Sequence, residues 1–120
     1  MVRDFFKTKP IISIDNDDLE PFFTAESLEA FDHQELAINP KGLKLLCNAT
    51  KQEIQLLAQA HEVERVLFLL FLSSQHELQI SELDGFSQMG LAEDVLVSFG
   101  IGTQETENMR LVTLVLTKTY

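Results

Sequence analysis

The chain has 120 residues, 45% of them apolar, a single cysteine and a formal net charge of −10. That length predicts one domain spanning 1–120 with one core. The charge argues against unaided binding to nucleic acid or to an anionic membrane, and the lone Cys47 excludes an intrachain disulfide. The longest apolar run covers residues 66–72, well short of the roughly 20 residues that a membrane-spanning helix needs, and no signal-peptide core precedes it. The expectation is a soluble, cytoplasmic protein without membrane contact.

Residues 1–21 read as an extended arm with one short strand, because Pro10 and Pro21 enclose an Ile-Ile-Ser-Ile run and an acidic cluster. Phe22-Phe23-Thr24 then predicts a helix start, with Thr24 as cap and Phe23 stapled to Leu28, and the helix running to about Gln34. Asn39-Pro40 marks a second start: Asn accepts from free backbone N–H groups, and Pro at the first helical position presets φ. Leu43, Leu46 and Cys47 form its apolar stripe, where Cys47 reads as a small buried hydrophobe. Thr50-Lys51-Gln52-Glu53 has the form of a capping box, so a third helix is expected after a tight corner at 48–50. Its face would carry Ile54, Leu57, Ala58 and His61. These features predict a capped helix pair over about 40–61.

The run 66–72 fits a buried strand or the buried end of the preceding helix, and its length favours a strand. Seven successive apolar residues exceed what one face of a small domain buries, so Leu67, Leu69 and Phe71 are expected at a subunit interface of a homodimer. A turn follows at 73–75, a loop around Gly85 and Gly90, a helix over 91–99 and a final strand over 109–118, where Leu and Val alternate with Thr. The fold class expected from these elements is mainly α with a minor β element.

Patterns that would carry chemistry are incomplete along the chain. His61-Glu62 and His76-Glu77 begin like zinc-binding helices, yet neither has a second His four residues on. In 15–20, Leu19 and Glu20 replace an oxygen ligand and the turn Gly of a calcium loop. Gly100-Ile101-Gly102 lacks the third Gly of a dinucleotide fingerprint and reads as a turn. No spacing identifies a nucleophile with its base. The expectation is a protein that is not an enzyme and has no catalytic residue, cofactor or metal.

Charge distribution says more than its sum. Between Ile11 and Asn39 lie eight acidic residues and no Lys or Arg. Glu26, Glu29 and Asp32 in this stretch are candidates for an acidic face that docks a basic protein partner.

The elements Leu36-x-Ile38-Asn39, Leu46, Thr50, Leu57 and Ala58, with Ala25-x-x-Leu28-x-x-x-Asp32 upstream, resemble the FlhD family, the small subunit of a flagellar master activator, over about half the chain. Pro10, Pro21 and the strand-like C-terminus depart from that family's pattern. The resemblance implies a mainly helical, non-enzymatic transcription-regulator subunit. It would dimerise, associate with a larger FlhC-like DNA-binding subunit and reach DNA only through that partner. The alternative of a different class is an acidic protein-binding inhibitor, immunity or DNA-mimic protein. A strip of carboxylates on one surface would favour mimicry, and a broad apolar surface around 66–72 would favour the regulator.

Overall fold

The computed structural model describes residues 5, 8–12, 14, 16–23, 28–39, 41–74 and 80–118. In chain order the elements are β1 (Lys9–Ile12), α1 (Asn16–Phe23), β2 (Leu28–Leu36), α2 (Gly42–Ala60), β3 (Val63–Ser73), a 3-10 turn (Ile80–Leu83), the short α3 (Asp84–Ser87), β4 (Leu96–Gln104) and β5 (Asn108–Thr117). One five-stranded mixed sheet in the order β1-β4-β3-β5-β2 organises them. The chain is therefore α/β, with more residues in strands than in helices, and the expectation of a mainly α fold is corrected.

β3 explains the seven-residue apolar run. It lies at the middle of the sheet, parallel to β4 and antiparallel to β5. A strand covered on both faces needs apolar residues at every position. Val66, Phe68, Leu70 and Leu72 join one core with Leu43, Leu46, Cys47 and Ile54 of α2 and with Met89 from the β3–β4 connection. Leu67, Leu69 and Phe71 point the other way, into a core with Phe5, Ile14, and Leu19 and Phe22 of α1. Leu67 and Leu69 are 0% exposed and Phe71 1%, so the chain's own residues cover the three side chains expected at a subunit interface.

Two predicted helices are strands. The helix expected over 24–34 is β2 in its described part, paired residue by residue with β5. Its start at Thr24, like Glu26, lies outside the described residues. The helix expected over 91–99 gives way to β4, whose Gly100 and Gly102 sit inside a strand and not in a turn. Both glycines make room for the N-terminal segment: a Cβ at Gly100 would lie 2.9 Å from Ile14 and Phe5, and one at Gly102 only 1.8 Å from Thr8 Oγ1.

The expected helical corner does not exist. α2 runs unbroken from Gly42 to Ala60. Thr50 is wholly buried and donates its hydroxyl to the Leu46 carbonyl at 2.9 Å, the usual way a mid-helix Thr satisfies itself. Asn39 does act near the helix start, its Oδ1 accepting from the Lys41 N–H at 3.0 Å. The acidic cluster after β1 is also helical: Asp17 and Asp18 lie in the first turn of α1, where the helix dipole favours carboxylates.

One core position is poorly satisfied. Thr113 of β5 is 0% exposed, and its hydroxyl has no partner among the described residues. A buried hydroxyl without a partner carries its full desolvation cost, so Thr113→Val is expected to raise the unfolding free energy by about 1 kcal/mol. Urea denaturation checks this, and a loss of stability would mean that the hydroxyl is satisfied.

Candidate functional site

Paired residues of an antiparallel sheet project to the same side, so the register fixes which way β2 side chains face. Glu29, Phe31, His33 and Glu35 lie opposite Val115, Thr113, Leu111 and Met109, on the side covered by α2. Leu28, Ala30, Asp32, Gln34 and Leu36 lie on the opposite side with Leu116, Leu114 and Val112.

This alternation splits the predicted acidic face. Asp32 is drawn into a bidentate pair with Arg110, whose Nε donates to Oδ1 at 2.8 Å and whose Nη2 donates to Oδ2 at 2.5 Å. The Arg110 guanidinium also lies 5.3 Å from the centroid of the Phe71 ring, so Asp32 anchors a cation over the second core. Glu29 remains on the α2 side, and Glu26 lies outside the described residues.

On that side, an open groove of about 400 Å³ runs between β2 and the C-terminal half of α2. Phe31, Leu56, Leu57 and Ala60 give it an apolar lining, and Glu29, Glu53 and His61 add polar groups. Leu56 of α2 is 65% exposed on this side. Glu53, read from sequence as half of a capping box, reaches across to His33 instead, with Oε2 3.0 Å from Nε2. Among the described residues, no Lys or Arg lines the groove. The charge run drew attention to Glu29. Glu53 and Leu56 were missed because their importance arises from the packing of α2 against β2.

Two smaller clefts flank α2. One of about 260 Å³ lies between Ile54 and Ala58 of α2, Val63 of β3 and the 89–95 connection, with Met89 and Val95 in its wall. The other, about 310 Å³, lies between α2 and the 81–88 segment and includes Cys47. Burial pushes the Cys47 thiol up to about 11, which removes it from consideration as a nucleophile near neutral pH. Cys47 is expected to react with a disulfide reagent at pH 8 far more slowly in the folded chain than in urea. Rapid labelling of the folded chain would contradict that. The linked effect on stability has a definite sign. Below the unfolded thiol's value near 9 both states are protonated, and between about 9 and 11 the unfolded state ionises first, so this group lowers stability as pH rises through that window.

Among the described residues, no group of three or more His, Cys, Asp or Glu side chains is placed to hold a metal ion, and no helix is long and apolar enough to cross a membrane. No family model matches the sequence. No curated protein matches it either. Among solved structures, the chain is similar to the FtsZ dimer of M. jannaschii at 15% identity and a TM-score of 0.68, covering 98% of this chain and 34% of that one. A second match, to thiamine monophosphate kinase from Aquifex aeolicus, has 12% identity, covers 98% of this chain and 40% of that one, and at a TM-score of 0.44 has no bearing on the fold. The chain thus spans about a third of the length of the FtsZ chain, and at this identity the likeness concerns the fold alone. The resemblance to FlhD is overturned: the α/β sheet and its FtsZ-like arrangement are not the helical fold that family implies.

Proposed function

We propose that the chain is a non-enzymatic protein-binding domain that docks a basic partner in the groove between β2 and α2. The observation that carries this reading is the groove itself, with Phe31, Leu56 and Leu57 beside Glu29 and Glu53 and, among the described residues, no Lys or Arg in its lining. Apolar contact would supply affinity, and the carboxylates would select a cationic partner and speed its arrival. The transcription-regulator reading drew its support from the FlhD resemblance. The protein-binding reading rests on the surface of this chain. It is of the inhibitor type more than the DNA-mimic type, because β2 alternation places Asp32 on the other side of the sheet from Glu29 and Glu35.

Selection of a random peptide library on the immobilised chain tests the proposal. Selected sequences are expected to be enriched in Lys and Arg, to bind more weakly as salt rises, and to lose affinity severalfold for Glu29→Gln and Glu53→Gln chains. The second substitution keeps a hydrogen-bonding group beside His33. Selected peptides without basic bias, or indifferent to both substitutions, would overturn the reading.

A further inference from the structure

The proposed docking groove lies beside an edge of the sheet. β2 pairs with β5 on one side and, among the described residues, has no strand on the other. In a nine-residue strand, alternate backbone N–H and C=O groups point away from the single neighbour and can receive another strand.

The side chains of β2 decide what can occupy that edge. A second copy of this chain is a poor candidate for pairing along the whole length of β2. Antiparallel pairing of two β2 strands centred on Asp32 would set Glu29 against Glu35 and Asp32 against itself, and like charges directly opposed destabilise a sheet. The only cationic group β2 could offer is His33. A basic segment meets the opposite situation, with a carboxylate near each end of the strand on the α2 side and Phe31 between them.

We propose, building on the protein-binding reading above, that β2 receives an extended segment of a basic partner as an added strand. On the α2 side the segment presents cations opposite Glu29 and Glu35 and apolar residues opposite Phe31 and His33, where Leu56 and Leu57 close over the apolar positions. The pattern is cation-x-apolar-x-apolar-x-cation. It is the same in both directions, so it serves parallel and antiparallel addition alike. Main-chain hydrogen bonds hold the segment, and side chains at every second position give it specificity.

The test uses the full chain and three capped peptides: Lys-Thr-Leu-Thr-Leu-Thr-Lys, the scramble Thr-Lys-Leu-Leu-Lys-Thr-Thr, and the first peptide N-methylated at alternate residues. The patterned peptide is expected to bind about tenfold more tightly than the scramble, the sum of a few cross-strand pairs, and to slow hydrogen exchange at β2 amides. N-methylation is expected to abolish that protection. Equal binding of all three peptides, dependent on Glu29 and Glu53, would overturn strand addition and leave acidic docking standing. Failure of all three at low salt, with no basic bias among library-selected peptides, would overturn both. Protection of β2 that grows with protein concentration in the absence of peptide would overturn the choice of occupant in favour of a second copy.

Discussion

Leu69→Asp is expected to abolish folding at every protein concentration. Leu69 sits on the central strand with no exposed surface, packed in the core formed by Phe5, Leu19, Phe22, Val112 and Leu114. Truncating such a leucine to Ala typically costs about 2–5 kcal/mol, and a buried carboxylate adds a desolvation cost on top. Against a total stability of roughly 5–15 kcal/mol, the sum removes most or all of the margin. An interface residue would behave differently. If Leu69 stabilised a dimer, the substitution would yield a folded monomer, and the wild-type chain would gain stability with concentration. Circular dichroism and sedimentation of both chains over a wide concentration range separate the outcomes. A folded, monomeric Leu69→Asp chain would contradict the core assignment.

The strands that could be read from sequence are those whose burial leaves a pattern. β3 is apolar at every position from 66 to 72 because both its faces are covered there, and β5 is rich in Val, Thr and Leu. β2 leaves almost no such pattern. As an edge strand it buries little, and its Leu28-to-Phe31 spacing with Glu29 and Ala30 between suits a helix; pairing with β5 over nine residues overrides that local preference. β4 was hidden by its glycines, which signal a turn when seen alone but here admit the N-terminal segment. The false corner in α2 arose because Thr-x-x-Glu is equally compatible with a helix interior when the threonine can back-bond and the glutamate has a partner elsewhere.

The candidate site was legible only as a charge run. Glu29 belonged to the predicted acidic face, but period-two alternation, visible only once 28–36 is known to be a strand, separates it from Asp32. The pairing of Asp32 with Arg110 joins residues 78 positions apart, and no local pattern announces it. Phe31, His33 and Glu35 are each less exposed than their neighbours, but this alternation belongs to the folded strand: Phe, His and Glu at every second position form no apolar period in the sequence.

Gly102→Ala is expected to destabilise the chain by about 1–3 kcal/mol through overpacking, although Ala would be favoured over Gly on backbone entropy alone. The cause is a specific collision. The new Cβ would stand 1.8 Å from Thr8 Oγ1 and 2.6 Å from Thr8 Cβ, and Thr8 is tied by its hydroxyl to the Phe5 carbonyl at 2.6 Å. Phe5 in turn packs edge-on against Phe71, with ring centroids 5.5 Å apart. Relief of the clash therefore requires moving the segment that seals the second core, and β1 loses register with β4 where Pro10 faces Gly102. Thr8→Gly removes the three atoms nearest the new methyl group, at the cost of the hydroxyl bond. The double substitution is expected to be more stable than the two single effects predict by about 1 kcal/mol, as contacting sites couple. Urea denaturation of the four chains measures that coupling, and hydrogen exchange at Ile101, Gly102 and Thr103 reports whether β1 has detached. Strict additivity of the two substitutions would mean that Thr8 does not occupy the space above Gly102, and the packing of the N-terminal segment on β4 would have to be redrawn.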